Sequence, residues 1–303
     1  VSTAENDRAK EPAEPSMTAG ALLVVAAGVL WGTTGTTQAL APAGVTPTSI
    51  GTLRLVVGGG ALLLLTLLRG GFGTGRWPVF GTLLAGACVA SYQLCFFWAV
   101  QRTGVAVGTL VGIGSSPVIA GVLGFVFRGE RPGRRWVVAT CFALAGCGLL
   151  VGGGGKLSID PVGVLLALGA GTSYASYTMA IKGLLPGRTP DAVMAVVFCI
   201  GALILSPLLF TADLAWMAAP RGIAMVLYLG VIVTALSYWL FARGLRSVPV
   251  ATAVTLSLAE PLTAALLGIV VLGERLSPLA LCGIPLLFAG LAVLAGSLGG
   301  KKN

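Results

Sequence analysis

Seven stretches of this chain, 77–101, 103–127, 136–155, 161–181, 192–212, 222–242 and 276–300, run for 20 to 25 residues without a single Asp, Glu, Lys or Arg. An α-helix rises 1.5 Å per residue and needs about 20 apolar residues to cross the roughly 30 Å hydrocarbon core of a bilayer. Composition agrees: 10% of residues are charged and the mean hydropathy is +0.96, against about 25% charged in a soluble domain. A water-soluble fold of 303 residues cannot hide so much apolar surface. The 45 glycines would weaken isolated helices in water, but between membrane helices small residues let backbones approach closely.

The charges sit between the apolar runs and mark helix ends. They predict spans at 17–39, 46–69, 78–101, 104–127, 135–154, 160–181, 190–210, 221–243, 248–271 and 277–298, an all-α membrane protein of ten transmembrane helices. Connections such as 41–44, 70–73, 152–155 and 186–187 are short and rich in Gly and Pro, as turns require. Residues 1–16 are polar and charge-mixed and read as a short disordered tail, without a cleavable signal peptide. The predicted organisation is a tail (1–16), a first five-helix repeat (17–155), a second (156–298) and a final tail (299–303).

Orientation follows from Lys and Arg, which favour the cytoplasmic side. With the N-terminus inside, inner segments carry 14 of these residues and outer loops only Arg102, Lys156, Arg221 and Arg275, four in all. An even number of helices returns the C-terminus to the same side.

The chain also repeats itself. Shifted by 144, residues 117–131 (PVIAGVLGFVFRGER) face 261–275 (PLTAALLGIVVLGER), with eight of 15 positions identical. Phe97 falls on Phe241 and Arg102 on Arg246. Five helices separate the copies, an odd number, so the halves have opposite orientation. Inverted repeats are a recurrent transporter architecture, with the substrate site near the midplane between them; a duplicated scaffold with no transport role is the plainer alternative.

Several segments together resemble the drug/metabolite transporter superfamily, and most of all its ten-helix EamA-type branch. These are Leu30-Trp31-Gly32 in the first helix, the Arg54 segment in the second, and the Pro-then-Gly-Glu-Arg pattern of the fourth and ninth. Glu260-Pro261 followed by Leu272-Gly273-Glu274-Arg275 is the most specific piece. The resemblance implies an inverted five-plus-five repeat around a central cavity, an inner-membrane location with both termini cytoplasmic, and export of metabolites. Amino acids, aromatic ones among them, are frequent substrates of the branch.

Absences narrow the chemistry. The chain has no His, which removes His-based triads, His metal sites and His proton relays. Its six Cys lie inside apolar segments without zinc spacing and read as small buried hydrophobes. Glycines 152–155 followed by Lys156 fail the phosphate-loop pattern, because position 150 is Leu and Leu157 replaces the required Ser or Thr. No cofactor and no metal is expected. The net charge of +9 is spread over helix ends rather than gathered into a nucleic-acid-binding face. The expected partners are a small-molecule substrate, the bilayer, and a proton or exchanged solute; monomer and homo-oligomer stay open.

Two ionisable residues fall deep inside apolar spans, Arg54 and Glu260. Each costs about 2.5–3.5 kcal/mol at a helix centre on insertion scales, so each should face a cavity or a partner. Glu260 either lines the pathway, binding a substrate ammonium or a proton, or is a fixed carboxylate bonded to backbone amides or to Arg54. Pro117 and Pro261 occupy matching places and predict helix kinks that free a carbonyl. Ser115 and Ser116 offer hydroxyls beside the first, or bond back to their own helix. Trp31, Tyr92 with Gln93, Tyr174, Tyr177 and Tyr238 lie inside spans, where a hydroxyl or indole N–H needs a partner; a wet cavity supplies one. Trp77, Trp136 and Trp216 fit an interfacial belt instead.

The expected activity is a secondary transporter exporting small metabolites, most naturally amino acids, by alternating access. Export of amphiphilic drugs or cations is the alternative. A membrane enzyme lacks the paired catalytic groups it would need, and a channel lacks a visible filter or charge ring.

Overall fold

A computed structural model describes residues 15–72, 76–152, 160–273 and 275–299. Most of both expected tails, much of the 152–156 connector, and Glu274 of the second Gly-Glu-Arg lie outside the described residues. Among the described residues all regular structure is helical: α1 Met17–Ala39, α2 Pro47–Leu68, α3 Val79–Arg128, α4 Arg134–Gly152, α5 Pro161–Leu184, α6 Pro190–Leu205, α7 Pro220–Leu227, α8 Ser237–Leu245, α9 Val250–Leu256, α10 Ala259–Leu272 and α11 Pro278–Gly299. A 3₁₀ turn, Ser206–Thr211, extends α6, and a π-helical stretch, Tyr228–Leu236, joins α7 to α8.

Nine spans among the described residues are long and apolar enough to cross a membrane. α4, 19 residues long, is the tenth and lies along α11. Each span boundary falls within three residues of its expected place. α3 counts twice. Its 50 residues would reach about 75 Å if straight, yet a Cβ built on Gly108 would lie 3.2 Å from Val100 Cα, and one on Gly112 would lie 3.7 Å from the Phe96 ring. The arms Val79–Thr103 and Val107–Arg128 therefore run side by side as the third and fourth spans.

Local chemistry sets the ends. Thr46, Asp160 and Thr189 each cap a helix through a side-chain oxygen, and each precedes a proline at the first helical position, where the missing N–H costs nothing. Gly129 and Gly273 close α3 and α10 in the left-handed conformation, at φ 64° and 68°, which a Cβ would strain.

These ends already obey the repeat, and close contacts between helices extend it throughout. Gly28 of α1 packs on Ser257 and Ala259; Gly171 of α5 packs on Gly112, Ser115 and Ser116. Gly146 of α4 meets Gly283 and Leu287 of α11, while Gly290 of α11 meets Ala139 and Ala143 of α4. A shift of 143 or 144 carries the first member of each set close to its counterpart in the second. α1 packs on α8 and α10 as α5 packs on the two arms of α3, and α2 pairs with α6 as α4 pairs with α11. The contacts of one half thus repeat those of the other, and because mates are offset by five spans, an odd number, the repeat is inverted.

The glycines set how closely the mates approach. A Cβ on Gly283 would lie 2.5 Å from the Gly146 carbonyl oxygen and 2.8 Å from Leu150 N, whereas one on Gly296 would meet nothing within 4 Å. Overpacking of this kind costs about 1–3 kcal/mol. Gly283→Val should lower the apparent melting temperature in detergent by several degrees, and Gly296→Val should leave it in place. Equal behaviour of the two variants would contradict the packing.

Candidate functional site

A ring cluster fills the centre of the bundle. Trp31 of α1 lies 4.7 Å from Tyr238 and 5.3 Å from Phe241, both of α8, and 6.5 Å edge-on from Tyr174 of α5. Tyr174 adjoins Tyr177 at 5.1 Å and Tyr92 of α3 at 6.0 Å. Tyr92 stacks on Phe96, and Tyr238 packs on Phe198 of α6 at 4.5 Å. The spacings 174/177, 238/241 and 92/96 place each pair on one helix face. Gln93 is buried one turn beyond Val89, which fills the notch at Gly201 of α6; it belongs to the face towards α6.

Two charges lie beside the same tyrosines. Arg54 of α2 and Glu260 of α10 are both partly exposed, lie within electrostatic reach of each other, and both act on the Tyr92 and Tyr238 hydroxyls. Neither takes part in any of the four ion pairs among the described residues, and no hydrogen bond holds the Glu260 carboxylate. Arg54 Nε is buried without a partner. A carboxylate fixed to Arg54 or to backbone amides is therefore not what the geometry contains.

The backbone breaks beside Glu260. α9 ends at Leu256, and α10 begins at Ala259, so Pro261 stands in the first turn of a new helix instead of kinking a continuous one. The Ser257 carbonyl, which a continuous helix would bond to residue 261, accepts from Glu260 N at 2.9 Å. The Tyr174 hydroxyl donates to Ser257 Oγ at 2.7 Å and ties α5 to the break. α1 allows the approach, since a Cβ on Gly32 would lie 2.6 Å from the Glu260 carbonyl oxygen. In the other half the mate of Glu260 is Ser116. It bonds back to the Gly112 carbonyl at 2.8 Å, as Ser115 does at 3.3 Å, and Pro117 stays within an unbroken helix. The duplicated scaffold carries its carboxylate in one half only.

Some participants had no signal in the sequence. Phe198 and Phe241 looked like any apolar residue in an apolar run. Tyr228, on the π-helical stretch, donates to Thr33 Oγ1 at 2.9 Å; π segments recur at functional sites. Glu130 served only as a repeat marker, yet its carboxylate joins the two halves. Oε2 accepts from Val250 N, the first residue of α9, at 2.9 Å. Oε1 lies 3.7 Å from Lys182 Nζ and 3.4 Å from Arg128 Nε. Lys182 also donates to the Val248 carbonyl. At the start of α5, Arg102 pairs with Asp160 at 3.1 Å; that guanidinium, with the Val162 N–H, holds the Asp160 carboxyl below the usual carboxylate range.

Known proteins resemble this chain in sequence and fold. The EamA-like transporter family matches residues 18–152 and again 161–296. The transporter YwfM of Bacillus subtilis (strain 168) is 48% identical over 276 residues, covering 91% of this chain and 93% of its own length. The threonine/homoserine exporter RhtA of Escherichia coli (strain K12) is 32% identical over 223 residues, covering 72% of this chain and 69% of its own. A crystal structure 24% identical in sequence superimposes with a TM-score of 0.76, covering 91% of this chain and 97% of that one, and shares the fold.

Proposed function

Since the chain belongs to the EamA-like transporter family, we propose that this multi-pass membrane transporter exports amino acids across the cytoplasmic membrane by alternating access. The observation that carries the reading is the ring cluster between the repeats, where Arg54 and Glu260 approach the same tyrosines without forming an ion pair with each other. A free ammonium and a free carboxylate on one small molecule match two such charges. The similarity to RhtA, a threonine/homoserine exporter, supports the same substrate class. An amphiphilic cation would use Glu260 and the rings but be repelled by Arg54, which favours the zwitterion. The inverted repeat supplies two related halves that can rock about a central site. The excess of Lys and Arg on one set of segments supports cytoplasmic termini. Energy would come from a proton or an exchanged solute.

Purified protein in proteoliposomes should show saturable counterflow: radiolabelled threonine or phenylalanine accumulates transiently when the lumen is preloaded with the unlabelled amino acid. Uptake equal to that of empty liposomes for every amino acid tested would refute the reading. Counterflow of a quaternary ammonium dye alone would establish the cation exporter in its place.

A further inference from the structure

Four buried side-chain nitrogen or oxygen atoms among the described residues have no hydrogen-bond partner: Trp31 Nε1, Arg54 Nε, Tyr177 Oη and Arg188 Nε. Three of these, all but Arg188, surround one ring. Trp31 lies 4.7 Å from Tyr238 and Tyr177 lies 6.4 Å from it, between ring centres. The Tyr238 hydroxyl interacts with both Arg54 and Tyr177, yet leaves Arg54 Nε and the Tyr177 hydroxyl short of a well-placed acceptor. Trp31 and Tyr177 are 5% and 1% exposed, so neither reaches bulk water. An unpaired buried donor costs about 1–3 kcal/mol, and one tyrosine hydroxyl cannot serve all three groups, so the arrangement stays costly unless a further acceptor shares them. Indole and guanidinium nitrogens can only donate. The acceptor they fit therefore has several lone pairs and a negative charge, and Glu260, the carboxylate nearby, bonds to none of them.

We infer that Trp31, Arg54 and Tyr177 form a carboxylate-binding pole and Glu260 an ammonium-binding pole, so that the transporter selects its substrate by two free α-charges at once. The inference rests on the amino-acid reading above and deepens it: the side chain of the substrate is left to the rings, while the α-ammonium and α-carboxylate are both obligatory. The donors belong to α1, α2 and α5, and the acceptor to α10, so helices of both repeats hold the one molecule. Ser116, the mate of Glu260, is engaged with its own helix, which leaves a single ammonium pole and hence one orientation of substrate.

The test compares phenylalanine with its methyl ester, with phenethylamine, and with N-acetylphenylalanine, by calorimetric binding in lipid nanodiscs and by competition in counterflow. Removing or masking either charge should weaken binding on the order of a hundredfold, as sites built around hydrogen-bonded groups reject analogues that lack them. Arg54→Gln should erase discrimination against the ester and the amine while keeping discrimination against the acetylated compound. Arg54→Lys should restore part of the former. Trp31→Phe and Tyr177→Phe, which keep the rings and remove only the donors, should each weaken phenylalanine binding and leave phenethylamine binding unchanged. Equal binding of phenylalanine, ester and amine to the unsubstituted protein overturns the carboxylate pole, and so does failure of phenylalanine to bind at all. Charge-selective binding without counterflow would leave the two poles standing and overturn the transport reading instead.

Discussion

Glu260→Gln should abolish amino-acid counterflow, with a loss of at least about a hundredfold, and leave the fold as stable as before or more so. The two halves of this expectation come from one observation. Among the described residues the Glu260 carboxylate takes part in no ion pair and no hydrogen bond, so the amide breaks no such contact and relieves the cost of a charge held among apolar helices. A carboxylate kept for structure would behave in the opposite way, since its removal would lower stability. The loss in transport follows because a neutral amide offers an ammonium one carbonyl oxygen and no charge. Melting temperature and counterflow measured on the same preparation separate the two roles. Unchanged transport with unchanged pH dependence would remove Glu260 from the site.

The second large effect is conformational. Glu130→Ala should shift the protein away from the arrangement described here by about 2 kcal/mol, roughly thirtyfold in a two-state equilibrium. The carboxylate caps α9 through Val250 N and faces Lys182, and the side chains of Glu130 and Lys182 are only 19% and 12% exposed. Glu130 belongs to the first repeat; Val250 and Lys182 belong to the second. Any rocking that opens the chamber at this end must part them. Glu130→Gln retains an oxygen for the Val250 N–H but not the charge facing Lys182, and should fall between. Spin labels placed by Arg131→Cys and Pro186→Cys, in a background with the native cysteines replaced, report the separation of the two elements. A longer distance population that grows from wild type through Gln to Ala is expected; identical distributions in all three would show that the contact does not govern opening.

The spans were legible because lipid imposes a simple rule: charges mark the ends and apolar runs fill the core. The repeat was legible because Pro117 to Arg131 kept its sequence when duplicated. The interior position of Trp31, Tyr92, Tyr174, Tyr177 and Tyr238 was legible too, since a polar tip deep within a span needs a partner. The break before Glu260 was not. Pro117 and Pro261 look alike in sequence, and only the third dimension separates them: Gly28 and Gly32 of α1 admit the displaced Ser257 and Glu260 carbonyls, and Tyr174 anchors Ser257. The role of Glu130 was equally hidden, because its partners lie 52 and 120 positions away and nothing local announces a cap supplied by another helix. Phe198 and Phe241 carry no polar atom to mark them.

Alternating access requires a central site that opens in turn to each side of the membrane. The direct measurement is labelling of Phe96→Cys, beside Tyr92 in the ring cluster, by a membrane-impermeant thiol reagent applied from either face of oriented vesicles, after replacement of the native cysteines. Alternating access around this cluster should give modification from both faces, each slowed by saturating phenylalanine. Modification from one face only, under every substrate gradient, or rates from both faces that ignore the amino acid, would contradict it.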